Sequence, residues 1–126
     1  MTIPTIFYEE AADLLWVEDD RLLVQLSNYL ADFELGGITP LGPIDNLAQA
    51  ARRAEAYLDS WSTKISLSIC AAWRELDADG RADMQDVVTV LLPLIAEAME
   101  LTGGAVSIAA VVSVIVARRG LTSICA

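Results

Sequence analysis

Carboxylates carry almost all the chemistry open to this chain. Glu9 and Asp13 fall at i, i+4 and Glu97 and Glu100 at i, i+3, so each pair shares one face of a helix. A paired acid is the raw material of proton transfer or of a carboxylate-bridged metal site, but the other parts are missing. The 126 residues include no histidine, the usual general base and metal ligand, and Lys64 is the only lysine, set among serines and apolar residues. A di-iron carboxylate site would also need Glu-x-x-His on neighbouring helices. The expectation is a protein that is not an enzyme, with no catalytic residue, no metal ligand and no cofactor.

One acidic turn has metal-like spacing. Counted from Glu75, Asp77, Asp79, Asp83 and Asp86 stand at positions three, five, nine and twelve, Gly80 at six and the carbonyl of Arg81 at seven. This resembles a calcium-binding EF-hand loop over twelve residues. The first ligand is glutamate rather than aspartate, the closing ligand is a shorter aspartate, Ala82 replaces an apolar residue, and no second loop pairs with it. Counted from Asp77, the pattern fails, with Arg81 at five and Val88 at twelve. A capping turn is the simpler reading, with a calcium-responsive binder as an alternative.

The remaining acids are concentrated at the front. Residues 1 to 45 hold nine acidic side chains against Arg21 alone, a balance of −8, whereas residues 46 to 126 are about −2. A net charge of −10 repels nucleic acid and anionic lipid and attracts a basic protein surface. Glu9, Glu10, Asp13, Glu18, Asp19 and Asp20 are therefore the candidate partner-binding residues. Trp16 joins them, because an aromatic side chain that ends a helix before an acidic turn is well placed as an anchor. Phe7, Tyr8, Tyr29, Trp61 and Trp73 read instead as core. A rival use of the same acids, with Asp32 and Glu34 added, is to imitate DNA phosphates and block a basic channel.

Helices must position these groups. The apolar content of 55 % comes mainly from alanine, leucine and valine, which favours close-packed helices over a sheet. A first helix is expected from an N-cap at Thr2 or Thr5 to about Val17, with Glu9 and Glu10 near its start. After a turn at Glu18, Asp19 and Asp20, a second helix buries Leu22, Leu23, Leu26, Leu30 and Phe33 and stops at Gly36 and Gly37. The segment 36–43 (GGITPLGP) is a loop, with Pro43 early in the next helix.

Beyond it, Leu47, Ala51, Ala54, Leu58, Trp61, Ile65, Ser68 and Ala72 alternate in steps of four and three. The favoured reading is two helices joined near Ser60 to Thr63. The rival is one long helix that pairs with a second copy through residues 47–72, since a span of about 50 Å exceeds a small domain. A helix from Met84 to Leu101, capped by Asp83 and kinked at Pro93, precedes a break at Thr102, Gly103 and Gly104. A last helix runs from Ala105 to Arg119 and ends at Gly120, with Arg118 and Arg119 complementing its dipole.

The uncharged run from Leu101 to Ala117 sets a membrane helix against a core helix. With its glycines outside the helix it is shorter than the roughly twenty residues a bilayer requires, so a soluble hairpin of residues 87–117 is expected, and a membrane-active one is the alternative. Val88, Leu91, Leu92 and Ile95 should face Ile108, Val111, Val112 and Ile115. Two cysteines do not form a disulfide framework: Cys70 is expected to pack as a small hydrophobe and Cys125 to be a free thiol, which suits a reducing compartment. With no basic and apolar leader at the N-terminus, a cytoplasmic location is expected.

Together these features predict an all-α, single compact bundle of five or six helices, residues 1–126 forming one domain. Its expected role is that of a small acidic protein–protein interaction module of adaptor, immunity or regulatory inhibitor type. Its alanine richness fits a bacterial or phage chain. The expected partner is another protein with a basic surface, without direct nucleic-acid or membrane contact.

Overall fold

The computed structural model describes residues 3–32, 47–77 and 84–119. Among them are five α-helices and no strand: α1 (Thr5–Leu14), α2 (Asp19–Asp32), α3 (Leu47–Asp77), α4 (Met84–Ala98) and α5 (Val106–Arg119), with a 3₁₀ turn at Gly103–Ala105 leading into α5. The all-α bundle expected from composition is the observed architecture. Phe33, Glu34, the 36–43 loop with Gly36, Gly37 and Pro43, the centre of the acidic turn with Asp79, Gly80, Arg81 and Asp83, and Gly120 and Cys125 lie outside the described residues.

α5 is the axis of the fold. Every residue from Ile108 to Val116 is buried, so this helix has no solvent face in its middle. It packs against α4, α1 and α2, while α3 closes the far side against α2 and α4. A helix apolar on all sides has to be surrounded, and each fully buried branched side chain contributes about 1.5–3 kcal/mol. The four residues expected on the inner face of α4 and the four on α5 are all buried, and these helices form the expected hairpin. No helix of the described residues is long and apolar enough to cross a membrane.

Two serines lie inside this core. Ser113 donates a 2.6 Å hydrogen bond to the carbonyl of Ala109. Ser27 Oγ on α2 is fully buried and has no hydrogen-bond partner, a desolvation cost of about 1–3 kcal/mol.

Several helix limits differ from expectation. α1 is capped at Pro4 with no side-chain cap, so Thr5 is already helical and Glu9 and Glu10 sit in mid-helix. It ends at Leu14, and the backbone then tightens, with Trp16 N donating to the Asp13 carbonyl at 3.4 Å and Val17 N to the Leu14 carbonyl at 3.1 Å. α2 begins at Asp19, so Asp19 and Asp20 form its first turn rather than a loop, where carboxylates complement the helix dipole.

The largest correction is at α3, which is one unbroken helix of 31 residues, about 46 Å long. The length that argued for a break near Ser60 to Thr63 is accommodated, and the serines in and after that stretch are satisfied within the helix. Ser60 Oγ donates to the Tyr57 carbonyl at 2.6 Å, Ser62 Oγ to Asp59 at 2.9 Å and Ser66 Oγ to Ser62 at 2.6 Å, so none competes for the helical backbone. The buried stripe also differs from the heptad reading: Ala50, Ala54, Tyr57, Leu58, Ile65 and Ile69 are buried, whereas Ala51 and Trp61 are half-buried and Ser68 and Ala72 lie at the margin. That drift toward Ile69 is the 3.6-residue period of an ordinary bundle helix.

α4 passes through Pro93 and stops at Ala98, three residues before the expected end. Its stop is a Schellman arrangement: Leu101 N donates to the Ala96 carbonyl at 2.8 Å and Glu100 N to Glu97 at 3.1 Å, and Leu101 is buried beneath the turn. Glu100 holds the left-handed position at φ 56, where glycine is usual.

Cys70 overturns a further expectation. It is half-buried against the core as predicted, but it is disulfide-bonded rather than free, which removes the cysteine argument for a reducing compartment.

Candidate functional site

The acidic candidates lie on α1 and the turn that joins it to α2. Ile6, Glu9 and Asp13 recur at i, i+3 and i+7, which aligns them on the outer side of α1, and Trp16 follows in the turn beyond Leu14. All four are exposed, Ile6 by 64 % and Trp16 by 89 %. Glu18, Asp19 and Asp20 continue the exposed acidic surface around the turn. Along the chain, an exposed aromatic ring thus lies between two groups of exposed carboxylates.

Arg118 explains why the turn is shaped this way. Its guanidinium donates to the carbonyls of Leu14, Leu15 and Val17 and to Asp19 Oδ1, the last at 3.0 Å. It therefore caps the end of α1, reaching the Leu15 and Val17 carbonyls and adding to the Val17 N–H bond on Leu14. The backbone on both sides of Trp16 is held by these bonds, and the indole stands in solvent. The Asp19 side chain is 75 % exposed despite its ion pair, so it contributes less charge to the surface than its exposure suggests.

Glu10 departs from the group. It is half-buried, accepts hydrogen bonds from Tyr29 Oη at 3.4 Å and Ser107 Oγ at 3.2 Å, and Gln25 Nε2 supports the tyrosine at 3.0 Å. Ser107 lies in the first turn of α5, where a carboxylate is favoured by the helix dipole. Glu10 ties α1, α2 and α5 together and is withdrawn from the outer face.

The structure therefore leaves Glu9, Asp13, Trp16, Glu18, Asp19 and Asp20 exposed along α1 and the turn into α2, and draws Glu10 inward. Of the other acids weighed for phosphate mimicry, Glu34 and the Asp32 side chain lie outside the described residues. The carboxylate pairs considered for catalysis, Glu9 with Asp13 and Glu97 with Glu100, are exposed. No cluster of three or more metal-binding side chains occurs among the described residues.

A groove of about 580 Å³ between α2 and α3 was not legible in the sequence. Asp20, Arg21, Val24, Gln25, Asn28, Ala48 and Ala51 line it. Its walls come from two helices, and residues of these types at these spacings mark any helix surface. Asp20 belongs to both groove and acidic face, which makes the two continuous.

Compared with known proteins, the chain matches no family model, no curated protein and no solved structure.

Proposed function

We propose that this protein is a non-enzymatic binding module whose acidic α1–α2 end docks a basic surface on another protein. The observation that carries the reading is Trp16, 89 % exposed and flanked along the chain by the exposed acids Glu9, Asp13, Glu18 and Asp20. Leaving an indole in water forgoes most of its burial energy, and interface anchors are enriched in such residues. The surrounding carboxylates would steer a basic partner to it and accept its lysine or arginine side chains at the rim. An adaptor, an immunity protein or a regulatory inhibitor would each use such a face.

The test is capture of partners with the tagged protein, followed by binding kinetics on the captured species. Trp16→Ala should weaken binding by about thirtyfold, as expected for an anchor worth about 2 kcal/mol. Glu18→Lys with Asp20→Lys should chiefly slow association, and added salt should slow it for the wild type. Asp19 is left intact because its loss would disturb Arg118. Unchanged kinetics in both variants and no salt dependence would mean that the acids serve solubility alone. Phosphate mimicry is the second reading. It predicts that the captured partner is a nucleic-acid-binding protein and that duplex DNA competes with this protein for it.

A further inference from the structure

The bundle uses only one side of α3. Ala54, Leu58 and Ile65 are buried in the chain's own core, so the stripe whose spacing suggests a second copy is already occupied. Half-way round the helix, Ala56, Ser60, Thr63 and Leu67 recur in steps of four, three and four. All four are exposed, Leu67 by 79 %. Asp59 and Lys64, also exposed, stand on the two flanks of this outer stripe. Among the described residues neither has an ion-pair partner. The Lys64 ammonium lies over the Trp61 ring, 5.1 Å from its centroid.

We propose that this outer side of α3 pairs with the same side of a second copy, the two helices parallel and Leu67 packed against its counterpart. Charge complementarity carries both the choice of occupant and its direction. Where two parallel helices meet along such a stripe, a residue on one flank faces the residue five places further along on the opposite flank of the other helix. Asp59 and Lys64 are spaced in that way and opposite in charge. The two-fold axis then makes two ion pairs, each between Asp59 of one copy and Lys64 of the other. In an antiparallel arrangement each flank faces its own kind, and Asp59 never meets Lys64.

The small side chains of Ala56, Ser60 and Thr63 let the two helices approach closely. The Ser60 hydroxyl already donates to the Tyr57 carbonyl, so covering it leaves no unpaired donor. Ala56 and Leu67 lie about 16 Å apart along the helix axis. A contact of that length falls short of the roughly 1,200 Å² of a stable complex, so the pairing is reversible and concentration-dependent. It rests on α3 alone and uses none of the acids of α1 and α2.

Sedimentation velocity of the full chain over a concentration series tests this. The wild type should pass from monomer to dimer below about 1 mM, the weak end of the affinity scale. Leu67→Asp, at an exposed position, should keep the fold and weaken association by about tenfold or more. Asp59→Lys and Lys64→Asp should each weaken it alone, since each sets like charges against one another at both pairs. Mixed in equal amounts, these two variants should form a heterodimer about as tight as the wild-type dimer, because opposite charges then meet at both pairs. A chain that stays monomeric to about 1 mM would overturn the proposal and leave the surface to a different protein. A dimer indifferent to Leu67→Asp, or a mixture that associates no better than its components, would overturn it as well.

Discussion

Ser107 and Glu10 are 97 positions apart in the chain and joined by a 3.2 Å hydrogen bond from the serine hydroxyl to the carboxylate. Two adjacent glutamates on α1 therefore have different duties, because Glu9 faces solvent and Glu10 holds α1 to α5. Glu10→Ala should cost about 1–2 kcal/mol, because it removes the carboxylate that accepts from both Ser107 and Tyr29, while Glu9→Ala stays within about 0.5 kcal/mol. Chemical denaturation of the two variants makes the comparison.

Arg118 should be the most costly surface-proximal side chain to remove. Arg118→Ala frees the carbonyls of Leu14, Leu15 and Val17 and the Asp19 carboxylate together, and a loss of about 2–3 kcal/mol is expected. Arg118→Lys should recover only part, because an ammonium lacks the planar fork that reaches several acceptors at once. Thermal melts of both variants check the order.

Glu100 is the site for a stabilising change. Its left-handed backbone costs a residue with a Cβ about 1 kcal/mol, and the Schellman bonds do not involve its side chain. Glu100→Gly should raise stability by about 0.5–1 kcal/mol. A lower melting temperature would show that the carboxylate has a role in the turn.

Alkaline titration should reveal Tyr57. Burial raises its pKa above 10.0, partly offset by a hydrogen bond with Trp61. The folded chain thus keeps the phenolic proton at pH values where the unfolded chain loses it. The resulting stability is fully present below pH 10.0 and declines as pH rises through the folded value. Tyr57→Phe should show a smaller loss of stability over that interval, followed by urea midpoints on either side of it.

The core was legible in the sequence because burial leaves a periodic trace. Val88, Leu91, Leu92 and Ile95 on α4, and Ile108, Val111, Val112 and Ile115 on α5, follow helical spacing and are buried. Trp16 was legible from its place at a helix end before three acids. The continuity of α3 was not, since a helix of this length exceeds the width expected of a small domain, and nothing in the spacing of its residues says that the fold lets it run unbroken. Nor was the difference between Glu9 and Glu10, which depends on Tyr29 and Ser107 arriving from two other helices. Local spacing reports which side of a helix is apolar; it does not report which distant hydroxyl will meet a carboxylate.

The central position of α5 also imposes an order on biosynthesis. α1 to α4 emerge from the ribosome before the helix they enclose has been made, and Arg118 can close the α1 turn only after about a hundred further residues have been added. Until then Leu22, Leu26, Leu91 and Ile95, all buried in the finished fold, have no α5 to pack against. α2 and α3 can pair first as neighbours in the chain, but the bundle closes only when α5 is released, at a high contact order for a helical protein. A nascent chain stalled before Val106 should accordingly remain protease-sensitive and hold a chaperone, and one extended past Arg119 should let it go.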